Sequence, residues 1–356
     1  MFEKHSNTPT HIPSGSSMPH RARLGGFKIL SEVVRISLAS PDKADYLPAE
    51  CCRLLTGKKI NLNFLSSLDQ GPNWGLDLLV SAQDAAKAAH LLTTANPGSP
   101  PVAEPSALLS IFPHMNDPAI LGELLTALSQ AGIRPKSLSN SPSTLSVVLD
   151  VENVDKATES LFNPFRFSAY RTPSDWKLAQ KGKEQIFKEV IASFEEKRPK
   201  VYFLEYQEER ELLQLNVSME HLPALGAFFR RLGELGVGLG FLATGVSANP
   251  GSLVALLLLP KSIASESLRI LARLLPDAET RMRGAVAGFS MNGPHFGDRY
   301  GLAGELLNAC KKSGVRLLGL ACSIASISGV IPADHLQPAI ETITSCFEVP
   351  SVIKKS

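Results

Sequence analysis

Three segments of this 356-residue chain align with one another without gaps, and this internal repeat constrains the fold more than any other feature of the sequence. The segments run from Leu121 to Ile133, from Leu225 to Val237 and from Ala303 to Val315. Each contains two glycines ten residues apart, with apolar residues at helical spacing between them. The second glycine precedes a β-branched residue, which is typical of a helix that ends where a strand begins.

A fourth and more divergent copy runs from Pro48 to Ile60, with Ala49 and Lys59 in the two glycine positions. The first glycine positions of the four copies are spaced by 73, 104 and 78 residues, so the middle connection contains an insert. The insert is 171–200, and it is predicted to form a connecting amphipathic helix. Its apolar residues at helical spacing are Phe187, Val190, Ile191 and Phe194.

Around each repeated helix the pattern predicts a strand, a helix, two strands and a second helix. In the second copy the predicted elements are 107–112, 119–130, 133–138, 144–149 and 154–161, with a final strand at 165–170. In the fourth copy they are 285–291, 302–313, 315–320, 324–331 and 336–347. The predicted fold class is α+β, with tandem ferredoxin-like βαββαβ repeats whose antiparallel sheets carry helices on one face.

The repeats divide the chain into predicted domains. A disordered tail over 1–24, rich in Ser, Pro and His, precedes the first repeat. The four repeats are predicted at 25–95, 105–170, 199–277 and 278–356, with the connecting helix at 171–198. Because the insert separates the second copy from the third, neighbouring copies are expected to pair side by side on either side of the connector.

Composition excludes several classes of protein. The net charge is +2 at a sequence pI near 8.2, which is too balanced for a nucleic-acid-binding surface. The longest apolar run, Leu253 to Leu259, is far shorter than the roughly 20 residues that cross a bilayer, so no membrane partner is expected. The five cysteines lack metal-ligand spacing and are predicted to be free thiols in a reducing cytoplasm, without a metal.

A nucleophile elbow, a phosphate-binding P-loop, a pair of catalytic carboxylates and zinc-ligand spacing do not emerge from the sequence. The glycine-rich segment Gly236 to Gly240 follows a helix and enters a strand, the reverse of the order that a dinucleotide loop requires. The sequence therefore predicts no catalytic residues, no cofactor and no enzyme activity.

Two motifs in register carry a family resemblance. The segment Ser290 to Ala303 resembles the start of the second ACT domain of aspartokinases, where a strand and a turn lead through Asp-x-Pro-Gly into a helix. Asp298, Gly301 and Leu302 match that motif, whereas Tyr300 replaces its proline. The segments Leu145–Asp150 and Ile327–Ile331 resemble the Ile-Ser-Val-Val-Ile strand of the same family.

The resemblance implies the regulatory region of aspartokinases, with ACT domains that pair side by side and commonly bind an amino acid at the interface. Since only about 27 residues precede the first copy, no kinase domain is expected. The implied ligand site lies in the fourth copy, where the first turn of the helix offers free N–H groups and a positive dipole end to a carboxylate. Its residues are Asn292, His295, Phe296, Asp298, Arg299, Gly301, Leu302, Arg316 and Ser323.

Other interpretations of these residues stay open. Asp298 is explained equally by helix capping, Arg299 by exposure to solvent and Ser323 by an ordinary position at a strand edge. The family's asparagine early in the second strand is replaced by Arg316 in the fourth copy but kept as Asn61 in the first. The first three copies are therefore also interpreted as structural partners of the fourth.

The function predicted from the sequence is a non-catalytic regulatory protein that binds a small-molecule ligand, an amino acid, between ACT-like repeats. Its expected partners are a second copy of itself, as a homo-oligomer, and an amino-acid biosynthetic enzyme such as aspartokinase. Two alternatives are a ligand-free scaffold that binds a partner through exposed sheet edges and an enzyme built on the ferredoxin-like fold.

Overall fold

The structure is a computed structural model that describes residues 21–40, 47–71, 73–96, 98–180, 198–247, 251–293, 300–323 and 326–355. The amphipathic positions predicted over 187–194 lie outside these ranges. No helix in the described part of the chain has the length and apolarity needed to cross a membrane.

The described ranges contain fifteen strands and nine α-helices. The strands are β1 (Ala22–Leu24), β2 (Gly26–Ser40), β3 (Phe64–Asp69), β4 (Trp74–Ser81), β5 (Val102–Phe112), β6 (Ser137–Asn140), β7 (Leu145–Asp150), β8 (Phe165–Phe167), β9 (Phe203–Ser218), β10 (Phe241–Val246), β11 (Ser252–Pro260), β12 (Glu279–Asn292), β13 (Gly319–Cys322), β14 (Ser326–Pro332) and β15 (Val352–Lys354). The helices are α1 (Leu47–Gly57), α2 (Ala85–Ala95), α3 (Pro118–Gln130), α4 (Val154–Leu161), α5 (Pro173–Gln180), α6 (Leu222–Glu234), α7 (Ala264–Leu274), α8 (Leu302–Lys312) and α9 (Leu336–Cys346).

The helix ends follow the glycine pattern, but the next strands begin later than predicted. Gly132 has φ 68, and the N–H of Ile133 donates to the carbonyl of Leu128, which closes the left-handed cap that ends α3. The β-branched residue thus completes the helix cap instead of joining the sheet. Consequently β6 starts at Ser137 and β13 at Gly319, four residues after the predicted starts.

Thirteen strands form one large, mostly antiparallel sheet, which gives the mixed α and β architecture expected from the sequence. Its order is β11-β10-β6-β7-β5-β2-β4-β3-β13-β14-β12-β9-β15, and β9 also pairs with β11. A separate parallel pair joins β1 to β8. Residues 22–24, assigned from the sequence to a disordered tail, therefore form a strand, in which Leu24 is buried.

The sheet folds into two layers whose inner faces meet. Along β11, Leu256 and Leu258 pack in a core between strands, whereas Leu257 and Leu259 pack in a core that includes α3 and α6. A strand buried on both faces is a continuous apolar run instead of an alternating one. This double burial explains the apolar run from Leu253 to Leu259. The helices α1, α2, α8 and α9 pack in a further core, on the outer face of the second layer.

Layer membership corrects the predicted pairing of neighbouring copies. Helix α1 packs on α8 and β3 pairs with β13, while α3 packs on α6 and β6 pairs with β10. The first predicted repeat therefore lies beside the fourth, and the second lies beside the third. The strands that link the layers are β2 with β5 and β9 with β12, and both pairs contain register shifts. The first and second repeats therefore lie in opposite layers, and so do the third and fourth.

A buried ion pair lies among the strands between the layers. Nη2 of Arg35 on β2 is 2.6 Å from Oδ1 of Asp77 on β4, and Nη1 of Arg35 is 3.2 Å from Oε2 of Glu104. Asp77 is fully buried, next to Ser137 of β6 and the backbone of Val246. Burial raises the pKa of Asp77 to about 6, an effect that the charge of Arg35 only partly offsets.

The raised pKa of Asp77 predicts a pH dependence of stability. Between the ordinary aspartate pKa of 3.8 and about 6, the folded chain holds a proton that the unfolded chain has released, so Asp77 lowers the free energy of unfolding as the pH rises. We expect the Asp77→Asn variant to lose this contribution, as measured by urea unfolding at about pH 4.5 and about pH 7.5. The exposed control Asp334→Asn should behave as wild type; an equal change with pH in all three proteins would contradict the prediction.

Candidate functional site

A pocket lies between the C-terminal end of α1 and the N-terminal end of α8, with about 430 Å³ of empty space that includes its open mouth. Its walls come from both helices and from the ends of β13 and β14. The lining residues are Cys52, Leu55, Thr56, Ile60, Asn61, Leu62, Gly301, Leu302, Ala303, Gly304, Cys322, Ser323 and Ile327.

Gly301 caps the start of α8 in a left-handed conformation, with φ 92. A Cβ atom there would lie 2.8 Å from Cγ2 of Thr56, so both the backbone and the neighbouring helix require glycine. The first turn of a helix has N–H groups without an intrahelical acceptor, and residues 302–304 of that turn line the pocket. The pocket therefore faces the positive end of the α8 dipole, which favours an anionic group.

The described side chains that line the pocket are neutral. Oγ1 of Thr56 donates to the carbonyl of Cys52 at 2.7 Å, and the hydroxyls of Ser323 and Ser326 lie 2.9 Å apart. Burial raises the pKa of the Cys52 and Cys322 thiols, so both are protonated at neutral pH. The arrangement suits a small molecule with a carboxylate at one end and an aliphatic part against the apolar wall.

A second pocket occupies the opposite end of the α1–α8 interface, beside Ala49, Ser67, Gly314 and Arg316. Here Nη2 of Arg316 is 2.6 Å from Oδ2 of Asp69, and Nη1 of Arg283 is 3.4 Å from Oδ1. Burial alone would raise the pKa of Asp69, but the hydrogen bond from the Gly71 N–H and the two guanidinium charges outweigh it and lower the pKa. The Asp69 carboxylate is therefore already paired with Arg283 and Arg316.

The helix pair of the other layer is in much closer contact. A Cβ atom on Gly122 of α3 would lie 2.6 Å from the carbonyl oxygen of Gly226 on α6, so these two backbones touch. A Cβ atom on Gly304 of α8 would instead meet side chains of α1, with Oγ1 of Thr56 at 3.2 Å and Cβ of Cys52 at 3.4 Å. Side chains thus separate α1 from α8, and pockets line both ends of that interface.

The structure brings together three of the residues predicted for a ligand site: Gly301, Leu302 and Ser323 line one pocket. Arg316 lies at the other end of the interface, and Asn292 is half-buried on β12, where its carbonyl accepts the N–H of Tyr202. The remaining predicted residues, His295, Phe296, Asp298 and Arg299, are outside the described ranges.

Sequence reasoning missed the wall supplied by α1 and the residues after it. The alignment of Ala49 with Gly304 already marked α1 and α8 as equivalent helices, and the asparagine kept at Asn61 lies in the pocket. The sequence analysis did not predict this wall because it paired the first copy with the second, whereas in the structure the first copy lies beside the fourth. No cluster of three potential metal-ligating side chains occurs within the described ranges.

Comparison with known proteins gives matches among solved structures. An aspartate kinase from Synechocystis matches 94% of this chain and 57% of its own length, at 16% identity and a TM-score of 0.75. The ligand-free regulatory subunit of aspartate kinase from Thermus thermophilus covers 41% of this chain and 98% of its own, at 22% identity and a TM-score of 0.36. For E. coli aspartokinase III with aspartate and ADP the shares are 42% and 34%, at 14% identity and a TM-score of 0.32. No family model and no curated protein matches.

These matches overturn three predictions. The prediction that the resemblance stops at a regulatory region without the kinase domain is wrong, because the match over 94% of the chain is to an aspartate kinase. The predictions of a non-catalytic regulatory protein and of a chain that is not an enzyme are contradicted by the same match. The chain spans 57% of that kinase, and at 16% identity the likeness shows the shared fold alone.

The unequal helix contacts predict unequal responses to the same substitution. In Gly122→Ala the new methyl group meets backbone atoms of α6, and we expect the free energy of unfolding to fall by about 1–3 kcal/mol. In Gly304→Ala the contact is with side-chain atoms at 3.2 Å or more, and the better helix propensity of alanine, about 1 kcal/mol, offsets it. Urea unfolding of both variants measures the difference, and equal losses would refute the unequal spacing of the two helix pairs.

Proposed function

We propose that this chain works in an enzyme of the aspartate kinase type and that the α1–α8 pocket binds an amino acid that controls the rate of that enzyme. The observation that carries the proposal is the left-handed Gly301 at the start of α8, beside a pocket shared with α1. The fold shared with the Synechocystis aspartate kinase over 94% of the chain supports the enzyme class.

The ligand contacts follow from the chemistry of the pocket. The α-carboxylate binds at the N-terminal turn of α8, where residues 302–304 supply N–H donors and the helix dipole supplies positive potential. The α-ammonium group has the hydroxyl oxygens of Thr56 and Ser323 and the amide oxygen of Asn61 as neutral acceptors in the lining. The aliphatic part of the ligand contacts Leu55, Leu62 and Ile327.

The same ligand touches two elements that belong to different parts of the chain, and this supplies a route to control. Residues 52–62 and residues 301–304 line opposite sides of the pocket. A molecule that contacts both sides stabilises the arrangement of α1 and α8 to which it binds best, and it shifts the population towards that arrangement. The rate of the enzyme changes when the two arrangements differ in activity.

The same proposal includes a division of the chain into four ACT-like repeats and self-association of the chain. The order strand, helix, strand, strand, helix recurs four times in the described ranges, which supports four ACT-like repeats near the boundaries predicted from the sequence. Self-association through β15 is included, because this terminal strand of the sheet exposes Val352 by 42% and Ile353 by 43%.

Ligand binding at Gly301 is tested by a thermal-shift screen of the free amino acids. At a concentration near 100 times its Kd, a specific ligand adds about 2.7 kcal/mol to the stability of the folded chain, so the Tm should rise by a few degrees. The Gly301→Val variant should lose that rise, because its side chain meets Thr56. The Gly284→Val variant is the matched control, since a Cβ atom at Gly284 meets nothing within 4 Å.

Two further measurements keep the test decisive. The milder Ser323→Ala variant, which removes one acceptor without adding volume, should weaken binding several-fold if Gly301→Val fails to fold. The protein isolated from its source cells under conditions that preserve complexes should convert ATP to ADP in an aspartate-dependent manner, at a rate that the bound amino acid alters. No shift with any amino acid contradicts the ligand site, and no aspartate-dependent ADP formation contradicts the enzyme class.

A further inference from the structure

A polar groove lies away from the α1–α8 interface, where the turn between β3 and β4 meets β9, β11 and β12. It contains about 750 Å³ of empty space, including its open mouth. Eight of its nine lining residues carry polar side chains, in contrast to the largely apolar α1–α8 pocket. The lining residues are Gln70, Asn73, Gln214, Asn216, Ser247, Val254, Glu279, Thr280 and Arg281.

The wall of the groove is fixed by its own hydrogen bonds. Nε2 of Gln70 donates to the carbonyl of Val246 at 2.8 Å, which ties the β3–β4 turn to β10 in the other layer. Nη2 of Arg283 donates to Oε1 of Gln214 at 3.1 Å, and Nε2 of Gln214 donates to the carbonyl of Gln70 at 3.4 Å. The walls formed by Gln70 and Gln214 are therefore held in place without a ligand, whereas Glu279, Thr280 and Arg281 are exposed at the mouth.

The guanidinium of Arg281 lies over Gly71 of the β3–β4 turn, where only glycine leaves room for it. Gly71 has φ +98, and a Cβ atom there would lie 2.9 Å from Nη1 of Arg281 and 3.6 Å from Nη2 of Arg283. Arg283 and Arg316 share the carboxylate of Asp69, whereas no ion pair of Arg281 occurs among the described residues. The guanidinium of Arg281 lines the groove without a carboxylate of its own.

The balance of charge indicates the sign of the ligand. Three guanidinium groups, those of Arg281, Arg283 and Arg316, surround the turn that carries Asp69. Glu279, two residues before Arg281 on the same face of β12, is the acidic residue in the groove lining, and its Oε2 accepts a hydrogen bond from Asn216 at 3.4 Å. The local excess of positive charge favours an anion at Arg281, and Glu279 opposes it.

We infer that the groove binds a small oxyanion-bearing molecule, a carboxylate or a phosphate, through the guanidinium of Arg281. Guanidinium donates two parallel hydrogen bonds to such a group, and the side chains of Asn73 and Thr280 are neutral donors for the remaining oxygens. This site is independent of the amino-acid pocket at α8. It joins the β3–β4 turn of one layer to β9 and β11 of the other, so its occupant holds the two layers together.

The inference is tested by calorimetric titration of the full chain with inorganic phosphate and with succinate, at constant ionic strength in chloride. Saturable binding of either anion to wild type is expected, and the anion that binds identifies phosphate or carboxylate as the natural group. The Arg281→Gln variant should bind that anion at least about tenfold more weakly. The matched control Arg273→Gln, an exposed arginine on α7, should bind as wild type.

The opposing carboxylate supplies a second and opposite expectation. Removing the negative charge in Glu279→Gln should strengthen anion binding by about two- to tenfold. If Arg281→Gln melts at a lower temperature than wild type, Asn73→Ala replaces it and should weaken binding several-fold. Absence of saturable binding to both anions, or equal affinity of wild type and Arg281→Gln, would overturn the inference.

Discussion

The contact between Gly122 and Gly226 is the constraint on which the arrangement of this protein depends. It lets α3 and α6 touch backbone to backbone, since a Cβ atom on Gly122 would lie 2.6 Å from the Gly226 carbonyl oxygen. In the equivalent pair, Ala49 of α1 stands in the first glycine position, and Gly304 of α8 faces Cys52 and Thr56. The α3–α6 pair is therefore in direct backbone contact, whereas side chains separate α1 from α8 and a pocket lies at each end of their interface.

The two helix pairs belong to one body because strands bury both of their faces. Alternate leucines of β11 enter the helix-side core and the core between the layers, so neither layer can be removed without exposing apolar surface. Polar contacts cross the same space: Oγ of Ser66 on β3 donates to the carbonyl of Thr244 on β10 at 2.8 Å. These contacts fix the register of one layer on the other, and they place the fully buried Asp77 beside β6 and β10.

Much of the local structure could be predicted from the sequence, because helix periodicity and glycine caps are local signals. The α3 helix begins one residue before its predicted start, and α8 begins at its predicted first residue. Which two repeats pair through their edge strands is not a local signal, since every repeat offers similar edge strands. The pairing of β3 with β13 therefore had to come from the structure, and with it the half of the pocket that contains Thr56 and Asn61. The predicted absence of enzyme activity failed for a related reason. The sequence motifs that resemble aspartokinases lie in the ACT-like segments alone, whereas the match over 94% of the chain to an aspartate kinase required the three-dimensional arrangement.

The central claim is the proposal that an amino acid binds between α1 and α8 and alters the rate of the aspartate-kinase-type enzyme in which this chain works. The most direct measurement is a crystal structure of the chain with the amino acid that stabilises it most. The account predicts electron density for the ligand between Thr56 and Gly304, with its carboxylate at the N–H groups of residues 302–304. Density for the same amino acid at the α3–α6 helix pair, with the α1–α8 pocket empty, would contradict it.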